Sequence, residues 1–564
     1  MRRFLDPTVC VRPRWLLPAV GGLAAAIAVL SLGAKSLWVT PEARGYVVLA
    51  AGIAERWDFS HDLFLLRTPG YPLLLASIFA CFGSISPWAI LVVQHLMMIA
   101  SVVLLTATAW RLTRGRVASL LAGALLASNL QLWAYAGMVM SEVPYTLVVI
   151  ACAHSAVRAV QESSGRALAV ASLLAGVAYL VRPLGLGLVA VTALAGLLIA
   201  LQWRKTIVPE NDAPKWKRRF PIALGVLSLV AVLPAGALAG GWVLVLAQRS
   251  DSLGSLSGPA LFRRTVTADR LDSASSPALM EIQSVVSEAR ARGLIEADAD
   301  GRDGGTVVEA YRLLDRGGPS HVYGRVKAAA LDLIREHPRL FLMNTLRYSA
   351  WSVLRPDSSY RFLPGGAPGV PGEGRSWRRN PNGELLDSFT YTPMMKHYLD
   401  SYSKYLPLTQ WAGPTLFIWR SAVLSYLTLE RPVFLGRSAY EWLMMICGIG
   451  AVFAILGPRW KLWLIVYSVV LIHVVGASLL VGPVPRYAVP VQPFILAGFG
   501  AFLGCVPERL GLFRGRRRPS PENPPPVGPR RTPAAYGRGG GEGPHAGLAG
   551  GGAGGIRARA DRPC

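Results

Sequence analysis

A chain of 564 residues with 52% hydrophobic and only 16% charged residues, at a mean hydropathy of +0.38, has too little polar surface to enclose a soluble globule of this length. The net charge of +25 does not point to nucleic acid, because Lys and Arg fall in short clusters between apolar runs, where cytoplasmic loops of membrane proteins concentrate them. The composition is that of an integral membrane protein.

At the start of the chain Arg2, Arg3, Arg12 and Arg14 precede an apolar run from Trp15 to about Trp38. The run is long enough to span and many more follow, so it reads as an uncleaved anchor rather than a signal peptide. A bilayer core about 30 Å thick takes about 20 apolar helical residues. Runs at about 15–38, 88–110, 117–134, 138–158, 167–181, 184–203, 220–247, 440–456, 462–481 and 487–506 meet or nearly meet that length, which predicts about ten spans. Arg111/Arg114/Arg116, Arg158/Arg166, Arg204 to Arg219, Arg459/Lys461 and Arg514 to Arg518 then fall on alternate loops, together with the N-terminus. Those loops are expected to be cytoplasmic, with both termini inside a plasma (inner) membrane. Residues 39–87, the turn before Ser141, the Arg182-Pro183 turn, the segment 248–438 and the Pro485-Arg486 turn are then expected to face outward.

The expected organisation is a transmembrane catalytic module over 1–247 with its first outer loop at 39–87, an external segment or small α or α/β domain over 248–438, further transmembrane helices over 439–507, and a cytoplasmic tail over 508–564. Segment 248–438 is too long and polar for a plain connection. In it Val322, Val326, Ala330 and Leu333, and then Leu342, Leu346, Ala350 and Val353, are spaced as two helical faces, read as helices lying on the membrane surface. The apolar run 411–429 carries Arg420, and if it crosses the bilayer then 339–354 must cross as well. Past Glu508 the Pro-, Gly- and Arg-rich sequence cannot build a core and reads as disordered. A solvated tail without site chemistry is the favoured reading, with contact of its arginines to the anionic headgroups of membrane lipids as the alternative.

Charge inside a bilayer is costly, so charges at span ends are informative. Glu42, Arg67, Glu142, Arg182 and Arg486 all fall on the side expected to be outer. Singly, each is explained by snorkelling or helix capping; together they make a cluster of acids and guanidiniums at one membrane surface. The motifs around them are Pro41-Glu42-Ala43-Arg44-Gly45-Tyr46, Arg67-Thr68-Pro69-Gly70-Tyr71-Pro72, Ser141-Glu142, Leu180-Val181-Arg182-Pro183, Glu336-His337-Pro338 and Arg486-Tyr487. In order and spacing they resemble the signature series of GT-C-fold glycosyltransferases, closest to glycosyltransferase family 39-like membrane enzymes, which include protein O-mannosyltransferases and the lipid A aminoarabinose transferase.

That resemblance implies an all-α polytopic fold and a sugar donor carried on a polyprenyl phosphate. It further implies transfer at the outer face to a glycan, lipid or protein acceptor. Glu42 occupies the place of the family's candidate base, where Asp is more frequent. Glu142 is the other candidate, as base or as a holder of acceptor or sugar hydroxyls. Arg67 is the first choice for the donor phosphate, with Arg182 and Arg486 next, and Tyr46, Tyr71 and Tyr487 are expected to bind substrate. The chemistry agrees with these residue types. An acceptor hydroxyl needs a carboxylate to take its proton, while a phosphate leaves as a stable anion and needs positive charge rather than a general acid. Direct displacement inverts the anomeric centre. A transporter or flippase, or a non-catalytic scaffold of the same fold for which the Glu-for-Asp exchange speaks, are the alternatives.

No cofactor or metal site is indicated. Cys10, Cys81, Cys152, Cys447, Cys505 and Cys564 have no ligand or disulfide spacing. Glu296, Asp298, Asp300 and Gly301 imitate the start of a calcium loop, but its twelfth position is Val307. His95 and His473 read as packed core histidines, Asp58 and Asp62 as solvated loop acids, and Trp57, Trp88, Trp133 and Tyr135 as an interfacial belt.

Overall fold

The computed structural model describes residues 15–34, 41–65, 67–207, 213–248, 258–272, 276–295, 304–317, 319–354, 432–434, 437–456, 459–480, 488–498 and 500. The tail 508–564, the 411–429 run, the calcium-loop imitation at 296–301, Arg486 and Tyr487 lie outside the described residues.

Apolar runs without backbone partners from water must satisfy their own N–H and C=O groups, and these do so as helices. In chain order they are α1 (Leu16–Ala34), α2 (Pro41–Arg56), α3 (Gly70–Phe82), α4 (Pro87–Thr113), α5 (Arg116–Ala127), α6 (Leu130–Ala136), α7 (Glu142–Glu162), α8 (Gly165–Val181), α9 (Leu188–Ile207) and α10 (Ala213–Ala247). The segment expected to be external supplies α11 (Gly258–Phe262), α12 (Pro277–Ala291), α13 (Gly304–Leu313), α14 (Pro319–Glu336) and α15 (Pro338–Leu354), and α16 (Ala439–Ile455) and α17 (Trp460–Leu480) follow. Among the described residues the strands are β1 (Pro432–Phe434) and β2 (Arg437–Ser438), a short antiparallel pair.

Among the described residues five helices are long and apolar enough to cross a membrane: Trp88–Thr113, Glu142–Glu162, Pro183–Trp203, Pro221–Ala247 and Trp460–Leu480. The expected span at 117–134 is α5 and α6 as a pair bent by 49°. The remaining expected spans coincide with the shorter apolar helices Leu16–Leu32, Gly165–Val181, Tyr440–Val452 and Val489–Gly498. The chain is a polytopic helical membrane protein.

Backbone irregularities inside the bundle have side-chain partners. At the α5–α6 bend Asn129 accepts the Leu132 N–H and donates to Gln492 Oε1 at 3.0 Å. Gln492 in turn donates to Gln131 and to the Tyr440 hydroxyl. Pro234 interrupts α10, and there the Ala235 N–H meets Ser172 Oγ while Thr192 Oγ1 donates to the Ala231 carbonyl. Polar groups exposed by a bend or an intramembrane proline are satisfied this way. His95 is likewise held inside the core, by the Leu91 carbonyl at 2.8 Å and Ser31 Oγ at 3.0 Å.

The bundle has two chemically distinct ends. At one, Arg111 reaches Gln161 and Glu162, Arg158 pairs with Glu162, and Arg459 donates to the Leu112 carbonyl. The opposite end carries the start of α7, the end of α8 and the start of α3.

The 258–354 segment has its own core, in which Phe262, Ile282, Val285, Tyr311, Val326 and Leu333 are buried together. The stripe Val322, Val326, Ala330 and Leu333 of α14, expected on the membrane surface, is consumed by this core, because α11, α12 and α13 offer it apolar partners. In α15 Leu342 and Leu346 of the expected face are exposed, while Phe341, Thr345 and Ser352 are buried. Tyr311 donates to Glu281 at 3.1 Å, linking α13 to α12. Burial first, and the Glu281 charge second, push its phenol up to about 12, so it stays a neutral donor.

The segment is fastened to the bundle by Arg264, fully buried in a π-helical turn, Arg263–Ala268. Its guanidinium pairs with Asp269, donates through Nε to the Ser478 carbonyl in the last turn of α17 at 2.9 Å, and lies 4.3 Å from the Tyr348 ring centroid. A cation at a helix C-terminus meets both an orphan carbonyl and the negative end of the dipole. Removing one member of a buried pair strands the other, so Arg264→Met is expected to cost about 3–5 kcal/mol, whereas Arg264→Met with Asp269→Leu costs markedly less. Thermal melting in detergent checks this; equal melting of Arg264→Met and wild type contradicts it.

Candidate functional site

The site is assembled by backbone geometry before any side chain acts. Arg182 precedes proline, which disfavours the helical conformation; its φ of −149° and ψ of 136° end α8 and turn the chain into the Pro183–Gly187 3-10 turn. That turn folds back on α8 so closely that a Cβ on Gly185 would lie 2.2 Å from the Ala178 carbonyl carbon. Gly70, at the start of α3, lies against the same helix end: a Cβ there would be 2.7 Å from the Leu180 carbonyl oxygen and 2.8 Å from the Val181 nitrogen. Two motifs more than a hundred residues apart, Arg67-Thr68-Pro69-Gly70-Tyr71 and Leu180-Val181-Arg182-Pro183, are thereby placed in backbone contact.

Glu142 opens α7 and its side chain is 0% exposed. Arg182 Nη2 donates to Glu142 Oε1 at 2.8 Å, a charge-assisted bond between two buried groups. The Arg182 guanidinium lies 5.7 Å from the Tyr145 ring centroid, and the Tyr145 hydroxyl is 3.2 Å from His473 Nδ1 on α17. His473 is thus packed, and it borders the site.

On the other side Arg67 lies over the Tyr46 ring, 4.2 Å from its centroid. A Cβ on Gly45 would come within 2.9 Å of Arg67 Nε, so the glycine and the aromatic face together cradle the guanidinium. Among the described residues no carboxylate pairs with Arg67. The Tyr46 ring meets Tyr71 edge-on, at 5.0 Å between centroids and 84° between planes. The Tyr46 hydroxyl is 3.4 Å from Ser141 Oγ, the residue before Glu142.

Of the residues expected from the sequence, Arg67, Tyr46, Tyr71, Glu142 and Arg182 therefore form one connected group at one end of the bundle. Glu42 lies in the first turn of α2, one turn before Tyr46, and its side chain is outside the described residues. Sequence reasoning missed Gln94 in α4, which accepts from the Tyr71 hydroxyl at 2.9 Å, as well as the Tyr145–His473 contact. A polar residue one position before His95 in an apolar run was the available signal.

If backbone approach at Gly70 brings the motifs together, Gly70→Ala is overpacked against a main-chain carbonyl that cannot swing aside, and is expected to cost about 1–3 kcal/mol. Gly240→Ala, where a Cβ meets nothing within 4 Å in α10, is the control and is expected to be neutral or stabilising. Melting temperatures of the two variants decide the point; a Gly70→Ala protein as stable as the control contradicts it.

Comparison with known proteins follows the same segment. No curated protein matches the chain. Among solved structures it is similar to the archaeal oligosaccharyltransferase AglB from Archaeoglobus fulgidus in complex with an inhibitory peptide and a dolichol-phosphate, at 12% identity and a TM-score of 0.40, over 89% of this chain and 51% of that one. The apo form of the Archaeoglobus fulgidus oligosaccharyltransferase gives 10% and 0.41, over 87% and 51%. The arabinosyltransferase EmbB from Mycobacterium smegmatis gives 16% and 0.29, over 78% and 43%. The chain spans about half the length of these structures. Residues 67–237, which contain Arg67, Tyr71, Glu142 and Arg182, match the family model described as dolichyl-phosphate-mannose-protein mannosyltransferase.

Proposed function

We propose that this protein is a glycosyltransferase that takes a sugar from a polyprenyl-phosphate donor and transfers it, with inversion, to an envelope glycan, lipid or protein acceptor at the outer face of the plasma membrane. The observation that carries the reading is Arg67: a half-buried guanidinium held on an aromatic face, with no carboxylate to neutralise it among the described residues. It stands beside a second guanidinium, Arg182, that already has its acid. A guanidinium held in this way suits a phosphate diester on its way to a monoester. The family description over 67–237 names a donor of this lipid-phosphate class.

In this reading the donor phosphate sits against Arg67, with Arg182 and Arg486 as further cations, and Tyr46, Tyr71 and Tyr487 line the substrates. The acceptor oxygen attacks the anomeric carbon from the face opposite the phosphate. A new C–O bond forms, the bond from the anomeric carbon to the phosphate oxygen breaks, and the electron pair leaves with the polyprenyl phosphate. The acceptor proton passes to a carboxylate. Glu42 is assigned as that base, one turn before Tyr46. Glu142, fully buried and bonded to Arg182, is assigned to holding a substrate hydroxyl and setting the orientation of Arg182.

Transfer from labelled polyprenyl-phosphate sugars in membranes tests the assignment. Glu42→Gln is expected to lower kcat by about 10²–10⁴-fold while the protein still inserts. Arg67→Ala is expected to raise donor KM by about tenfold or more with acceptor KM little changed, and Gly45→Ala, whose methyl displaces the same guanidinium, is a milder copy of it. Unchanged transfer by Glu42→Gln removes Glu42 as base, and equal loss toward donor and acceptor removes Arg67 from the phosphate.

A further inference from the structure

The two halves of the site, the Arg67 side and the Glu142 side, are joined by one buried amide. Gln94 in α4 is 1% exposed. Its Oε1 accepts from the Tyr71 hydroxyl at 2.9 Å, and its Nε2 donates to the carbonyls of Ala136 at 3.1 Å and Met138 at 2.8 Å. The amide orientation is fixed by its partners, because carbonyl oxygens can only accept and the reverse placement would set Oε1 against two of them.

Each bond leads into the site by a different route. Through Tyr71 the amide supports the ring that meets Tyr46 edge-on, and Tyr46 carries Arg67 on its face. Through Ala136 and Met138 it holds the end of α6 and the turn that runs to Ser141 and Glu142. The routes meet again where the Tyr46 hydroxyl faces Ser141 Oγ at 3.4 Å. The result is a closed circuit, Gln94 to Tyr71 to Tyr46 to Ser141 and back along the turn. An apolar side chain would fill the space in α4 equally well, but it would leave a phenol and two carbonyls buried without these bonds.

We infer that Gln94 is a positioning residue that sets the separation between the donor-phosphate guanidinium Arg67 and the Glu142 carboxylate; the role in turnover rests on the transferase reading. In this proposal it acts through Tyr71 and the Ala136 and Met138 carbonyls rather than on substrate. Its effect is on where two groups that act on substrate stand, and a displacement of about 1 Å in such groups is worth about a hundredfold in rate.

Two substitutions separate the routes. Gln94→Met keeps the length of the side chain and removes all three bonds. Gln94→Glu retains an acceptor for Tyr71. Gln94→Met is expected to lower kcat per folded molecule by about a hundredfold and to raise donor KM, and Gln94→Glu to restore donor KM toward wild type while kcat stays low. Should Gln94→Met not fold, Tyr71→Phe, which deletes one bond and keeps the ring, is expected to raise donor KM more than it lowers kcat. If these variants change only the yield or melting of the protein, with kcat and KM per folded molecule as in wild type, the positioning role is overturned. An inactive wild type on every polyprenyl-phosphate sugar defeats the transferase reading instead, and hydrogen exchange then decides for Gln94. Amides 137–142 exchanging about tenfold faster in Gln94→Glu, with those of α10 unchanged, support the circuit, and unchanged exchange at 137–142 overturns it.

Discussion

The buried pair between Glu142 and Arg182 is the constraint around which the rest of the active end is arranged. Neither ion is tolerable alone at full burial in an apolar bundle, so each requires the other within hydrogen-bond reach. That requirement fixes the first residue of α7 against the last turn of α8. Small residues then make the fit possible: Gly185 lets the chain double back after Pro183, and Gly70 lets α3 begin in contact with the Leu180-Val181 backbone. A charge pair thus determines which helix ends meet, and glycines determine how near they come.

Around that pair the cations divide the work. Arg182 is neutralised and buried, while Arg67 lies half-buried on Tyr46, with no carboxylate pairing with it among the described residues. A second buried arginine, Arg264, ties the 258–354 segment to the last turn of α17 through the Ser478 carbonyl. His473 on that same helix touches Tyr145 one turn below Glu142. The segment expected to choose the acceptor and the helices expected to bind the donor are therefore connected by short polar contacts through α17.

Much of this was legible in the sequence because bilayer physics leaves few options. Apolar runs gave the helices, and the rarity of charge within them singled out Glu142, Arg182 and Arg67, which the structure brings together. What was not legible depends on partners distant in the chain. Gln94 finds its carbonyls at Ala136 and Met138, more than forty residues away, and Arg264 finds Ser478 across 214 residues. The surface reading of α14 failed for a related reason: a helical apolar stripe fits lipid and protein equally, and only the folded neighbours show that α11, α12 and α13 cover it. In α15 the pattern named Leu342 and Leu346, which stand exposed, while Phe341 and Thr345 meet Arg264 from another side of the helix.

The central claim, that the end of the bundle holding Arg67 and Glu142 binds a polyprenyl phosphate, is tested most directly by photo-crosslinking. A photoreactive polyprenyl phosphate is added to membranes containing the wild-type protein and the adducts are mapped by mass spectrometry. The account predicts labelling within 41–72 or 180–188 that excess unlabelled polyprenyl phosphate displaces. Labelling confined to exposed apolar faces such as that of α10, and insensitive to competitor, would contradict it.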